Sequence, residues 1–261
     1  MDGQIALLLA QDGLVNGAVY ALMALALVLV FSVTRVIFIP QGEFVAFGAL
    51  SMAMLQAGKT PPTLWLLLAL AVAVLAVEAW RYKRGAPVDW SSALLWCVAV
   101  PLAACAMLLL WKPTGLAAQA IGTLVLITPL GPLIYRLAYR PMAQATVLSL
   151  LIVSVALHGV MVGLGLLFFG AEGSRTPAFS EASFDVGGLQ ITGQSIVVIM
   201  VTLVLVIAMF QFFGRSMVGK ALRATAMNRV GARLMGVPTE LSGDVSFALA
   251  ALIGAVSGLL I

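Results

Sequence analysis

Long apolar runs broken by short polar clusters set the pattern of this chain. A helix that crosses a bilayer needs about 20 mostly apolar residues. Runs of that kind lie near 14–34, 62–80, 91–111, 115–139, 146–170, 192–213 and 243–261, with a shorter one at 43–57. The short run follows a polar-interrupted stretch, IFIPQGEF, in which Pro40 predicts a break between helical pieces. Two polar segments are longer than the other connections. Residues 171–191 are rich in Gly, Ser and acidic residues, and 214–242 are basic. In the basic segment Leu222, Ala226, Val230 and Leu234 recur every fourth residue, one stripe of a helix. Asn228 is placed to cap a second helix, and Gly236 with Pro238 two residues on is a stop signal. The expectation is an all-α, polytopic transmembrane helical bundle of about eight spans. Its second span is short and broken, and a helical hairpin projects at one end. Residues 1–261 form one transmembrane domain, with 214–242 a distinct segment within it.

Composition agrees: 62% of residues are apolar and 9% charged. A soluble domain carries about 25% charged residues. The basic residues fall in clusters between spans, a pattern that orients a membrane protein and gives no nucleic-acid signal. With the N-terminus outside, the inner side receives Arg35, Arg81, Lys83, Arg84, Arg136, Arg140, Arg215, Lys220, Arg223, Arg229 and Arg233. The outer side receives Lys59, Lys112 and Arg175, with Asp2, Asp12, Glu172, Glu181 and Asp185. The expected topology is therefore a membrane protein crossed many times, with its N-terminus outside and the basic hairpin on the inner side. Cys97 and Cys105 share one apolar run and read as structural thiols. There is no cleavable signal peptide pattern. Because the last run ends bare at Ile261, the native chain is expected to continue.

One stretch imitates a phosphate loop. GRSMVGKALRA (214–224) matches G-x-x-x-x-G-K-[ST] through Lys220, but Ala221 stands where a hydroxyl must hold magnesium. It also follows a membrane span where a phosphate loop follows a buried strand. The chain is not expected to be an enzyme, and it is expected to bind no cofactor or metal.

Three stretches carry a family resemblance. GRSMVGKALRATAMNRVGARLMGVP resembles the ATPase-coupling loop of bacterial ABC importer permeases for branched-chain amino acids. NGAVYALMALALVLVFSVTRVIF is similar to the first span of that family's H-type subunit. YRPMAQATVLSLLIVSVALHGVMVGLGLLFFG resembles its central YRP motif and the span after it. Together they cover about a third of the chain, in the family's order. IFIPQGEF departs from the family's Asn-Phe-Ala-His/Gln-Gly run at Phe38, Ile39 and Pro40 and keeps Gln41 and Gly42. Residues 81–114 look like an additional hairpin. The resemblance implies cytoplasmic ATPase subunits that use ATP and magnesium, a second homologous permease subunit, an extracytoplasmic substrate-binding protein, and the lipid around them. It implies branched-chain substrates, with other amino acids, amides or urea carried by related systems.

Candidate pathway residues are Asn16 and Tyr20, four apart on one face of the first span, and Gln41 and Gly42 beside the break. For Asn16, interhelical hydrogen bonding competes with that role, and Glu43 reads as a marker of the inner interface. Candidate coupling residues are Arg223, Asn228, Arg233, Leu234, Met235 and Gly236; the alternative for this segment is a surface helix held by anionic lipid. His158, the only histidine, is expected to be packed and neutral, because the inner parts of the spans offer no carboxylate to relay with. Gly159 with Gly163, and Gly254 with Gly258, are spaced for close helix approach. The competing classes are an ion-gradient-driven secondary transporter of small polar solutes and a membrane scaffold.

Overall fold

The computed structural model describes residues 2–85, 90–111, 115–174, 176–180, 182–186 and 189–261. Expected positions Lys112, Arg175 and Glu181 lie outside them. Among the described residues, most helices are joined by short turns, and strand appears only as one antiparallel hairpin. Its strands are β1 (Ser183–Val186) and β2 (Leu189–Thr192), with Ser183 opposite Thr192. This hairpin lies within the long 171–191 connection, where no strand was expected.

Seven helices are long and apolar enough to cross a membrane. They are α1 (Asp2–Thr34), α3 (Thr63–Lys83), α4 (Trp90–Leu109), α5 (Leu116–Met142), α6 (Val147–Phe169), α7 (Gly193–Arg215) and α10 (Thr239–Leu260). The expected short second span is α2 (Gln41–Gln56), of 16 residues, about 24 Å long at 1.5 Å per residue. α8 (Met217–Met227) and α9 (Arg229–Leu234) form the hairpin between α7 and α10. α1 extends a dozen residues further toward the N-terminus than its apolar run. α4 is one spanning helix within the stretch read as an additional hairpin.

The helices alternate in direction, and their contacts fix which ends meet. Arg140, at the end of α5, meets Glu78 near the end of α3 and Glu240 at the start of α10. Leu29 and Val33, near the end of α1, pack on Leu222 of α8. That end is the basic end. At the other, Gln194 donates to the carbonyl of Leu260 at 3.1 Å, beside the β-hairpin.

α10 forms the centre, packed against α1, α2 and α5. Its approach to α2 depends on glycine. A Cβ on Gly258 would overlap the Val45 carbonyl oxygen, and one on Gly254 would sit 2.7 Å from Phe44 Cβ. The expectation for this pair holds. Gly159 and Gly163 make no such approach within this chain: no atom lies within 4 Å of where either Cβ would be, and both are exposed on α6. α5 changes pitch at Tyr135–Tyr139, a π-helical turn three residues after Pro132. The turn sets Tyr135, Arg136 and Tyr139 together on the buried side, where Tyr135 and Tyr139 stack on Phe247 of α10.

Candidate functional site

The break before α2 is built by the chain turning back into the bundle. α1 ends with the Thr34 hydroxyl donating to the Val30 carbonyl at 2.7 Å and accepting from the Val36 amide at 3.4 Å. Arg35 then takes a left-handed conformation, φ 61°, uncommon for a residue with a side chain. Residues 36–40 run inward without helix. Phe38 is fully buried between Phe44, Tyr139 and Phe247, so an aromatic plug anchors the re-entering strand of chain. Irregular backbone at this depth is tolerated only where protein covers it.

α2 therefore begins midway along α10. Gln41 is 1% exposed, and its Nε2 donates to the Ala250 carbonyl at 2.9 Å. Its Oε1 has no partner among the described residues. Gln41 thus pins the break to α10. Gly42 is half-buried, and no atom lies within 4 Å of where its Cβ would be. Open space adjoins the α2 N-terminus there.

Two sequence expectations change at this depth. Nδ1 of His158 lies 3.1 Å from Oε1 of Glu43, so the lone histidine does have a carboxylate beside it. The two are not aligned as a hydrogen bond. Glu43 therefore sits at the break in mid-bundle rather than at an interface; it follows Pro40, and the re-entrant turn carries it inward. Asn16 and Tyr20 do share a face of α1, but it points outward, with Tyr20 69% exposed. The structure does not bring them to Gln41 and Gly42.

The hairpin has the predicted caps. Asn228 Oδ1 accepts from the Gly231 amide at 2.9 Å, starting α9. Gly236, at φ 82°, ends it. The Gly236 amide donates to the Arg233 carbonyl and the Val237 amide to the Ala232 carbonyl, at 3.1 and 2.9 Å. This is the paired pattern of a left-handed helix stop. A further cap was missed: Ser216 Oγ accepts from the Gly219 amide at 2.8 Å and starts α8. Gly219 lies against the Phe212 carbonyl, where a Cβ would overlap it. The phosphate-loop glycine is thus a packing glycine of a tight turn between helices. The apolar stripe divides. Leu222 is buried, Ala226 is half-buried, and Val230 and Leu234 are exposed, because the chain turns at Asn228 between them. Met227, Val230, Leu234 and Met235 are each at least 70% exposed. Arg223 is exposed and Arg233 borders a cavity behind the hairpin.

That cavity reveals a charged cluster that sequence reasoning left out. Arg136 donates to Asp244 through Nε at 3.0 Å and Nη2 at 2.5 Å, and both side chains are nearly fully buried. Arg140, in the YRP motif, bridges Glu78 at 2.6 Å and Glu240. Tyr139 bonds Ser154 of α6 at 2.9 Å. The signal was present as a charge pattern: a carboxylate inside each apolar run's basic end, Glu78 and Asp244, must find a cation once buried.

These features define a multi-pass helical membrane protein with a re-entrant break at its centre and a capped amphipathic knob at its basic end. It belongs to a known family: the model of the permease component of branched-chain amino acid transport systems matches residues 90–261. Curated relatives agree. The high-affinity branched-chain amino acid transport system permease protein LivH of Salmonella typhimurium (strain LT2) is 28% identical over 150 residues, 56% of this chain and 49% of that protein. LivH of Escherichia coli (strain K12) is 27% identical over 164 residues, 60% of this chain and 53% of that protein. The chain spans about half the length of these relatives. No solved structure matches it.

Proposed function

We propose that this chain is a transmembrane subunit of an ABC importer for branched-chain or closely related amino acids. The break at Pro40 lines the translocation pathway, with Gln41 holding it to α10 and Gly42 leaving room beside it. Asn16 and Tyr20, on an outward face, border the pathway only where a second, homologous permease subunit closes it. A soluble binding protein delivers substrate outside, and ATPase subunits work at the basic end, which is cytoplasmic. ATP hydrolysis belongs to those partners. The observation that carries this reading is the α8–α9 hairpin. It is held rigid by three caps, it exposes Met227, Leu234 and Met235, and it is continuous with the central helix α10. A knob rigidly joined to the bundle's core can convert movement of a docked ATPase into alternating access.

The test is reconstitution with the cognate ATPase and binding protein. Arg233→Glu and Gly236→Val are each expected to leave the complex assembled while stimulated ATP hydrolysis and uptake fall together, because a valine at φ 82° unseats Leu234 and Met235. Full uptake by both variants would overturn the coupling assignment. One observation favours a second reading. The Glu43–His158 pair, midway along the spans with the His158 side chain 43% exposed, is a group an ion-driven transporter would use. Uptake that survives removal of ATP and stops with a protonophore would select it.

A further inference from the structure

Behind the hairpin, at the basic end, two adjoining cavities open between the end of α5, α9 and the first turn of α10. The larger, about 420 Å³, has Tyr135, Arg140, Gln144, Arg229, Arg233 and Glu240 in its wall. The smaller, about 250 Å³, is walled by Arg136, Arg140, Arg233, Glu240 and Asp244 among others. We propose that this pair of cavities binds a phosphate oxyanion, supplied by a lipid headgroup or free in solution.

The argument is one of unspent donors. A guanidinium carries five N–H groups. Arg136 uses Nε and Nη2 on Asp244, and Nη2 also on Ser92 at 2.5 Å. Its Nη1 is buried with no partner among the described residues. Arg140 uses Nη1 on Glu78 and Nη2 on Glu240, and its buried Nε likewise has no partner among them. Arg136 is 4% exposed and the Arg140 side chain 8%. A buried charged donor left unmade is costly, and both arginines that carry one line the smaller cavity, Arg140 the larger as well. The charge has the same sense. Arg229 and Arg233 at the mouth form no ion pair among the described residues, whereas the wall carboxylates Glu240 and Asp244 are already engaged by arginines. A phosphate group, with several acceptor oxygens pointing in different directions, satisfies guanidinium groups on two sides at once. The site also lies at the ends of two spanning helices, where α5 stops at Met142 and α10 begins at Thr239. Leu234 and Met235 are not in either wall, so an occupant would contact the hairpin through Arg229, Val230 and Arg233 and leave those two side chains free.

The experiment uses the full chain purified in a neutral detergent, with no ATPase and no amino acid present, so its outcome is independent of the transport reading. Thermal unfolding is followed against added phosphatidylglycerol, phosphatidylcholine and inorganic phosphate, with chloride at matched ionic strength as control. Phosphatidylglycerol is expected to raise Tm where phosphatidylcholine does not. The Arg229→Gln/Arg233→Gln variant, which alters the half-buried Arg229 and the exposed Arg233 and leaves the Arg136 and Arg140 ion pairs intact, is expected to weaken the apparent affinity at least tenfold, about 1.4 kcal/mol. If inorganic phosphate reproduces the effect and competes with the lipid, the natural occupant is soluble; if it does neither, the occupant is a lipid. The proposal is overturned if phosphatidylcholine stabilises as well as phosphatidylglycerol and phosphate does nothing. It is equally overturned if the double variant responds like the unaltered chain.

Discussion

α10 and α7 are both spanning helices of similar length, and they stand at opposite extremes of the bundle. In the most apolar part of α10, 83% of residues are buried inside the chain; in α7, 11% are. Yet α7 is the more apolar of the two. α10 carries Thr239, Ser242, Asp244, Ser246 and Ser257 in buried positions, with Gly243, Gly254 and Gly258. In water this order would be inverted. In lipid, apolar side chains gain nothing by leaving the hydrocarbon, so burial is driven by close packing and internal hydrogen bonds. The small and polar residues of α10 supply both. Ser246 and Ser257 hydroxyls donate to Gly243 and Ile253 carbonyls at 2.9 Å each, Ser242 meets Thr225 at 3.2 Å, and Asp244 holds Arg136. The lesson is that, in such a chain, the less hydrophobic spanning helix is the core.

The largest expected effect breaks α10 at its charge. Asp244→Asn leaves the Arg136 guanidinium buried without its counter-charge. Removal of one member of a buried pair costs about 3–5 kcal/mol. We expect Tm of the purified chain to fall steeply. The double variant Arg136→Met/Asp244→Leu, which removes both charges and keeps volume, is expected to recover most of the loss. If the double variant is as unstable as the single one, the pair is not held by charge, and the account of α10 as a polar core loses its strongest support.

The next effect sets two glycine pairs of equal spacing against each other. Gly258→Ala places a methyl on the Val45 carbonyl, an overlap with backbone that cannot be relieved by a rotamer change, and overpacking of that kind costs about 1–3 kcal/mol. Gly163→Ala meets open space, and the better helix propensity of alanine leaves stability unchanged or slightly raised. Thermal unfolding of the two variants side by side decides it. Equal losses would mean that the face of α6 bearing Gly163 is covered.

These pairs also show what could be read in the sequence. Apolar run length placed the spanning helices to within a few residues except at the start of α1, which runs a dozen residues further, because the bilayer sets a minimum length and not a maximum. Cap chemistry at Asn228 and Gly236 was legible because it is local. The 3.6-residue period could not tell Gly254 from Gly159, since G-x-x-x-G permits close approach without stating which neighbour arrives. The stripe from Leu222 to Leu234 misled because the cap at Asn228, itself correctly read, turns the chain and ends the period. Glu43 beside His158, and Arg140 between Glu78 and Glu240, join residues 62 to 115 positions apart. No local pattern announces such pairs; only the demand that a buried charge find a partner does.

The smallest effect tests α7. Leu203 is 52% exposed on this helix, where a removed side chain is replaced by lipid of equal polarity. Leu203→Ala is therefore expected to change the stability of the purified chain by no more than about 0.5 kcal/mol, the usual range for surface positions. The companion change Ile253→Ala, at a fully buried position of α10, is expected to cost about 2–5 kcal/mol through the cavity it leaves. Chain measured alone and chain measured in its assembled complex then give different information. If Leu203→Ala is silent in both, the outward face of α7 meets lipid and the contrast with α10 is complete. If it is silent in the isolated chain but lowers the stability of the complex, that face is where the second permease subunit packs, and α7 is buried by assembly rather than by folding. A large loss in the isolated chain would contradict the arrangement of α7 at the periphery altogether.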